Sequence, residues 1–144
     1  MVKIRKANAN DVAKLISIGK RVDEFKVDKE TRGWWSKKQL EKWIKSKSDV
    51  VLVAEEDKRI VGFVMFAHHT PTGKVTYENG WIDREYRGKE IILELTKIGL
   101  KKLKAKGARY ICGLVKKDNI NSIIFLEKNK FKKGFDFTWM HRTI

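Results

Sequence analysis

Tyr77-Glu78-Asn79-Gly80-Trp81-Ile82-Asp83-Arg84-Glu85-Tyr86-Arg87-Gly88-Lys89-Glu90-Ile91-Ile92 is the stretch on which the reading of this chain turns. Its first half continues an alternation that begins at Val75 and passes through Tyr77 and Asn79 to Trp81-Ile82, the period of a strand with one face buried. Gly80 interrupts that strand and signals either a bulge or a close approach of another group to the backbone. Beyond a short basic loop, Ile91, Ile92, Leu95, Ile98, Gly99 and Leu103 form one apolar helical stripe, with Lys97, Lys101 and Lys104 largely away from it. A helix start leaves backbone N–H groups unpaired and carries partial positive charge, so this junction suits an anion. Arg87 and Lys89 add attraction, and Gly88 lets a ligand approach the main chain.

Downstream, Gly107 ends the helix and residues 110–115 read as a fifth, buried strand, so that strand, helix and strand make a parallel crossover. Asn119 caps a short last helix running to about Lys128. In the tail, 131–144, Phe135, Phe137 and Trp139 alternate as in one or two closing strands. Upstream, the β-branched and aromatic runs 50–54 and 60–66 flank the polar turn 55–59 and read as a hairpin. Residues 2–5 alternate as a first strand, followed by a helix capped by Asn10 and carrying Val12, Leu15, Ile16 and Ile18. Leu40, Trp43 and Ile44 mark a second helix, whereas 23–36 has no period and borders a substrate site. With no repeat or linker, 1–144 reads as a single mixed α/β domain.

Composition narrows the function classes. The 144 residues suffice for one core, and 42% hydrophobic with 35% charged residues excludes disorder. No run approaches the roughly 20 apolar residues of a membrane helix, and no export signal precedes the first strand, so a cytoplasmic protein with no membrane partner is expected. A net charge of +15 attracts polyanions. The basic clusters are short and lack the aromatic spacing of an RNA-reading sheet, so nucleic-acid binding stays an alternative rather than the leading reading. Cys112, alone of its kind, lies in an apolar run and reads as a buried structural thiol. Phosphate-loop, nucleophile-elbow and metal-site motifs are absent. His68 and His69 are adjacent, face opposite sides of a strand and do not share a metal, which leaves them a surface or strand-end role.

The segment from Asp83 to Ile92 resembles the Asp-Pro-Glu-Tyr-Arg-Gly-Lys-Gly-Ile-Gly loop of the GNAT superfamily of acetyl-CoA-dependent N-acetyltransferases. Ile4-Arg5-Lys6-Ala7 with Asp11 is similar to that family's opening, and 118–128 is similar to its Asn-x-x-Ala-Ile-x-Leu-Tyr-Glu-Lys segment. The resemblance implies a mixed, mostly antiparallel sheet of six to seven strands, a parallel pair splayed around the cofactor, and helices on both faces. It implies acetyl-CoA as co-substrate, held by backbone groups of Trp81 and Ile82 along the pantetheine arm and by the amides of Arg87, Gly88, Lys89, Glu90, Ile91 and Ile92 at the pyrophosphate, with Asn119 beside the arm. Glu78 matches a carboxylate that takes the proton of an attacking ammonium, and a half-buried strand raises a Glu toward that task. Trp34 and Trp35 flank the acceptor site, either as ring faces for a cationic or apolar acceptor or as anchors of their segment on the core. The acceptor is a small-molecule or peptide amine, and the protein a monomer or homodimer.

Four positions depart from the family pattern, one of them Lys130, which stands where a Gly is usual before the aromatic Phe131. Glu90 and Ile92 stand where small residues are usual, and Glu90 is expected to place its carboxylate in the first helical turn, in competition with a phosphate. Leu126 stands where a Tyr commonly protonates the departing thiolate. These departures carry the alternative of a GNAT-like binding module without catalysis.

Overall fold

Two continuous apolar runs build the centre of the molecule. The computed structural model describes residues 1–26, 34–142 and 144, and it divides into two compact units, Met1–Gly113 and Leu114–Ile144, taken separately here. In the first, β2 (Val50–Glu56) and β3 (Arg59–His69) form a hairpin across Asp57 and Lys58, whose φ values of 49° and 62° are those of a tight two-residue turn. β1 (Lys3–Lys6) pairs antiparallel with β2, β4 (Lys74–Ile82) antiparallel with β3, and β5 (Tyr110–Cys112) parallel with β4, giving the order β1-β2-β3-β4-β5. Helices cover both faces. α1 (Val12–Arg21) and α2 (Lys37–Lys45) pack with Val51, Val53, Phe63 and Met65, while α3 (Ile91–Ala105) packs with Val50, Leu52, Val64 and Phe66.

Successive side chains of β2 and β3 thus enter opposite cores, which explains why these runs show no polar alternation. Phe63 and Phe66 are both buried, each contributing roughly 1.5–3 kcal/mol. Gly99 of α3 lets the helix rest on Phe66, since a Cβ there would lie 2.4 Å from the ring. The outward Lys97, Lys101 and Lys104 are exposed, as the stripe requires.

Several expectations change. Among the described residues the sheet has five strands rather than six or seven, because 131–142 forms no strand and Phe135, Phe137 and Trp139 are exposed there. The expected strand 110–115 shortens to three residues, and as an edge strand it leaves Tyr110 exposed and Cys112 half-buried instead of enclosed. The capping residue ahead of the first helix is Asn8 rather than Asn10. Asn8 accepts from the Asn10 N–H and Asp11 accepts from the Asn8 N–H, a reciprocal cap over a 3-10 turn (Ala9–Asp11) that leads into α1. Of the aperiodic stretch 23–36, residues 27–33 lie outside the described residues. In the second unit α4 (Ile120–Lys128) forms where expected, with Asn119 accepting from the Ser122 N–H at 3.2 Å.

Asp11 joins β1 to the start of α1. Arg5 donates to both its carboxylate oxygens, at 2.7 and 2.9 Å, and also to Glu55 of β2. Burial alone pushes the Asp11 carboxyl up, but the Arg5 bonds and the Asn8 N–H together hold it below its ordinary value. A carboxylate depressed on folding contributes stability that is complete above its unfolded value of about 3.9 and disappears as pH falls through the folded value. Asp11→Asn is therefore expected to lower stability by on the order of 2 kcal/mol at about pH 6. In urea titrations the gap to the unsubstituted protein should close as pH is lowered below about 4; a gap independent of pH would exclude the ion pair as its source.

Candidate functional site

The register between β3 and β4 slips by one residue in the middle of the sheet. Phe66 pairs with Tyr77 and Met65 with Asn79, which leaves Glu78 inserted between them as a β-bulge. The expected bulge at Gly80 is thus two residues earlier. The extra residue reverses the facing of the strand: Val75 and Tyr77 belong with Ile82 in the α3 core, whereas Trp81 joins the α1–α2 core. Asn79, expected on the face of Tyr77, instead meets Trp34 and Trp35, whose Nε1–H groups both donate to its Oδ1 at 3.1 and 2.8 Å.

On the α3 side the Thr96 hydroxyl donates to the Ile92 carbonyl at 2.8 Å, so the Tyr77 hydroxyl, 3.2 Å away, is the donor to Thr96. Burial pushes the Tyr77 pKa up to about 12, and the ring stays neutral. Gly80 serves the close approach that was its other reading, because a Cβ there would lie 2.5 Å from the Tyr77 hydroxyl.

Glu78 is half-buried. Burial and, second, the negative charge of Asp49 raise its pKa above the ordinary value, as a proton acceptor for an ammonium needs. Asp49 lies just before β2 and accepts from the His68 N–H at 2.8 Å. His68 itself is buried with neither ring nitrogen hydrogen-bonded, while His69 contacts the Thr72 hydroxyl through Nδ1 at 2.8 Å. Among the described residues no cluster of potential metal ligands forms.

Pairing with β5 ends at Thr76 opposite Cys112, so from Tyr77 to Ile82 the other edge of β4 has no strand partner among the described residues. Asp83 N–H donates to the Val61 carbonyl, which places Trp81 among the residues whose backbone faces β3 and turns the backbone groups of Gly80 and Ile82 to the open edge. Arg87 Nε makes a long, 3.5 Å bond to the Ile82 carbonyl. Trp81 contributes its ring on the opposite core, 6.0 Å from that of Phe63.

Beyond β4, Asp83 accepts from the Glu85 N–H and starts a 3-10 turn (Arg84–Tyr86). Arg87, Gly88, Lys89 and Glu90 follow, all exposed. Lys89 Nζ lies 4.6 Å from the centre of the Tyr86 ring, and Tyr86 donates to Glu56 at 2.6 Å. Gly88 has φ +78° and open space where a Cβ would stand. Glu90 does not enter the first helical turn. It precedes α3 in the left-handed region at φ 58°, and its side chain caps no N–H. The first helical bond of α3 runs from Glu94 N–H to the Glu90 carbonyl at 3.0 Å, with Ile91, Ile92 and Leu93 N–H ahead of it. The helix start is therefore uncapped by side chain, next to two cations and an unobstructed glycine, which fits a phosphate-bearing ligand.

Trp34 is half-buried between Phe25, at 5.9 Å, and Phe63, at 5.8 Å, and leans on Gly19 of α1 so closely that a Cβ there would fall 2.0 Å from the indole. Trp35 meets Trp43 edge to face at 4.7 Å. Both rings are half-buried and pack against the core. Asn79 and Asp49 are candidate site features that sequence reading missed; their signals were the glycine that follows Asn79 in the strand and an acid before β2. Asn119, in the second unit, spends its Oδ1 on capping α4.

A model of the acetyltransferase (GNAT) family matches residues 20–131. No curated protein sequence matches. Among solved structures, a transcriptional regulator from Bacillus halodurans C-125 is 22% identical, with TM-score 0.76 and coverage of 99% of this chain and 100% of that one. AAC(6')-Iy, solved in complex with the bisubstrate analogue CoA-S-monomethyl-acetylneamine, is 14% identical with TM-score 0.79, covering 100% and 99%. The ribosomal-protein-S18-alanine N-acetyltransferase from Escherichia coli is 16% identical with TM-score 0.73, covering 94% and 80%.

The left-handed backbone of Glu90 generates a prediction. A side chain there costs roughly 1–2 kcal/mol, of which glycine recovers part after its own entropic cost. Glu90→Gly is expected to stabilise the fold by about 0.5–1 kcal/mol and to tighten inorganic pyrophosphate binding about two- to fivefold by removing a carboxylate from the helix start. Thermal melts with and without pyrophosphate check both parts; a lower melting temperature would contradict the backbone argument.

Proposed function

The chain belongs to the acetyltransferase (GNAT) family, and we propose that it transfers the acetyl group of acetyl-CoA to a primary amine with Glu78 as the base. The observation that carries this reading is the bulge, which sets a half-buried carboxylate of raised pKa on the strand whose neighbouring edge is open. Glu78 takes the ammonium proton, directly or through a water. The neutral amine then attacks the thioester carbonyl, a C–N bond forms, and the C–S bond breaks with its electrons leaving on sulfur. Leu126 supplies no proton to the thiolate; the second proton, which the nitrogen sheds as the adduct collapses to the amide, passes through water to the departing sulfur, so that amide and thiol are the products.

Acetyl-CoA supplies the activated acyl group. Backbone groups of Gly80 and Ile82 on the open edge suit its pantetheine amides, and the α3 start with Arg87, Gly88 and Lys89 suits its pyrophosphate; Trp81, whose ring packs on Phe63 in the opposite core, lies outside this set, and Asn119 enters from the resemblance alone. The amines named for the two acetyl-group structures above, an acetylneamine analogue and a ribosomal-protein alanine, support an acceptor of either small-molecule or peptide type. Locally, Glu78 and Asp49 give a cationic acceptor a favourable site within a chain of net charge +15.

Calorimetric titration should show acetyl-CoA binding, and Glu78→Gln should lower kcat by about 10²–10⁴ while leaving acetyl-CoA affinity within about twofold. The rate should rise with pH through a pKa above the ordinary Glu value, and Asp49→Asn should move that rise to lower pH. Absence of acetyl-CoA binding at millimolar concentration would refute the reading.

A further inference from the structure

The carboxamide of Asn79 accepts from both indoles of the Trp34–Trp35 pair, and it is the neighbour of Glu78 on the bulge. A carboxamide oxygen has two lone pairs, and two indole donors at 3.1 and 2.8 Å occupy both. An indole nitrogen only donates, so these contacts also fix which end of the amide is oxygen. Nδ2 has no acceptor among the described residues, so the hydrogen bonds that orient the amide there are those of the two indoles.

The two tryptophans are otherwise seated on separate supports. Trp34 rests on Gly19, Phe25 and Phe63, and Trp35 on Trp43 of α2, directly before Ser36, which caps α2 by accepting from the Gln39 N–H. Asn79 is where these supports meet β4. Its position on this face follows from the extra residue at Glu78, so the element that presents the carboxylate also fixes the aromatic segment next to it.

We propose that Asn79 is a positioning residue for amine recognition, clamping Trp34 and Trp35 to the β4 bulge so that an acceptor resting on that aromatic wall is held in register with Glu78. This rests on the acetyl-transfer reading for its kinetic consequence, but the clamp itself does not. Loss of the clamp raises the KM for the amine and leaves acetyl-CoA binding intact, because the cofactor contacts lie on the open edge and at the α3 start.

The test is carried out on the full chain with Asn79→Leu, Asn79→Asp and the double variant Trp34→Phe/Trp35→Phe. Nitrogen-15 spectra report the indole N–H groups, assigned through the single Trp→Phe variants. In Asn79→Leu both indole signals should shift and exchange faster with water, whereas Asn79→Asp, which keeps an acceptor oxygen, should retain both. Indole signals indifferent to Asn79→Leu would overturn the clamp whatever the activity. With spermidine and an alanine-terminated peptide as amine probes, Asn79→Leu should raise amine KM at least about tenfold with acetyl-CoA affinity within twofold. Asn79→Asp should keep amine KM near the starting value and displace the pH profile upward, since it sets a second charge beside Glu78. An unchanged amine KM in Asn79→Leu, or a fall in kcat alone, would sink the positioning role. Should Asn79→Leu not fold, the double Trp→Phe variant removes both donors while keeping an aromatic ring at each position, and the same rise in KM is expected. If the unsubstituted protein acetylates neither amine, the acetyl-transfer reading fails and with it the kinetic consequence, while the spectra still decide the clamp.

Discussion

Inserting Glu78 between two residue pairs of the β3–β4 ladder forces the strand to change face, because side chains in a strand alternate with a period of two. Everything at the centre of the molecule depends on that step. Before it, Tyr77 enters the α3 core and hydrogen-bonds to Thr96; after it, Asn79 enters the opposite side and takes both indoles. Without the insertion Asn79 would follow Tyr77 into the α3 core, which offers an amide no such partners. Gly80 belongs to the same device, because the returning strand passes the Tyr77 hydroxyl where a Cβ has no room.

The bulge also links the two helical layers. Tyr77 ties β4 to the second turn of α3, whose first turn presents the uncapped amides, and Asn79 ties it to the segment that enters α2. Glu78, the uncapped amides of α3 and the Trp34–Trp35 pair are thus arranged around one strand, and a shift of β4 would move all three together. For the acetyl transfer proposed above, such a geometry would keep the reacting groups in register.

Charge sets the second constraint. Most of the excess positive charge is solvated and structural in effect, as on the outer face of α3. Against that background two carboxylates, Glu78 and Asp49, lie close enough for one to raise the pKa of the other. Glu90 is a different case. Its carboxylate was expected to occupy the helix start, but its left-handed backbone takes it out of the first turn and keeps the amides open. The conformation is the one a glycine would adopt, so the loop retains its shape while carrying a side chain that strains it.

Much of this was legible in the residues. The hairpin of β2 and β3, the stripe of α3, the cap at Asn119 and the strand–turn–helix at Arg87-Gly88-Lys89 each follow from local pattern, because periodicity and turn chemistry act over a few residues. The candidate base Glu78 was visible through its place in that pattern. The tail was misread for the same reason, since alternation at Phe135, Phe137 and Trp139 specifies a strand only where a partner edge supplies hydrogen bonds. What only the tertiary structure decided is the register: that Glu78 is the extra residue, that Asn79 therefore meets Trp34 and Trp35 from more than forty positions away, and that Gly80 makes room for Tyr77. A bulge is chosen by the competition of two cores for the side chains on either side of it, and that competition exists only once α3 and the α1–α2 layer have both been packed onto the sheet.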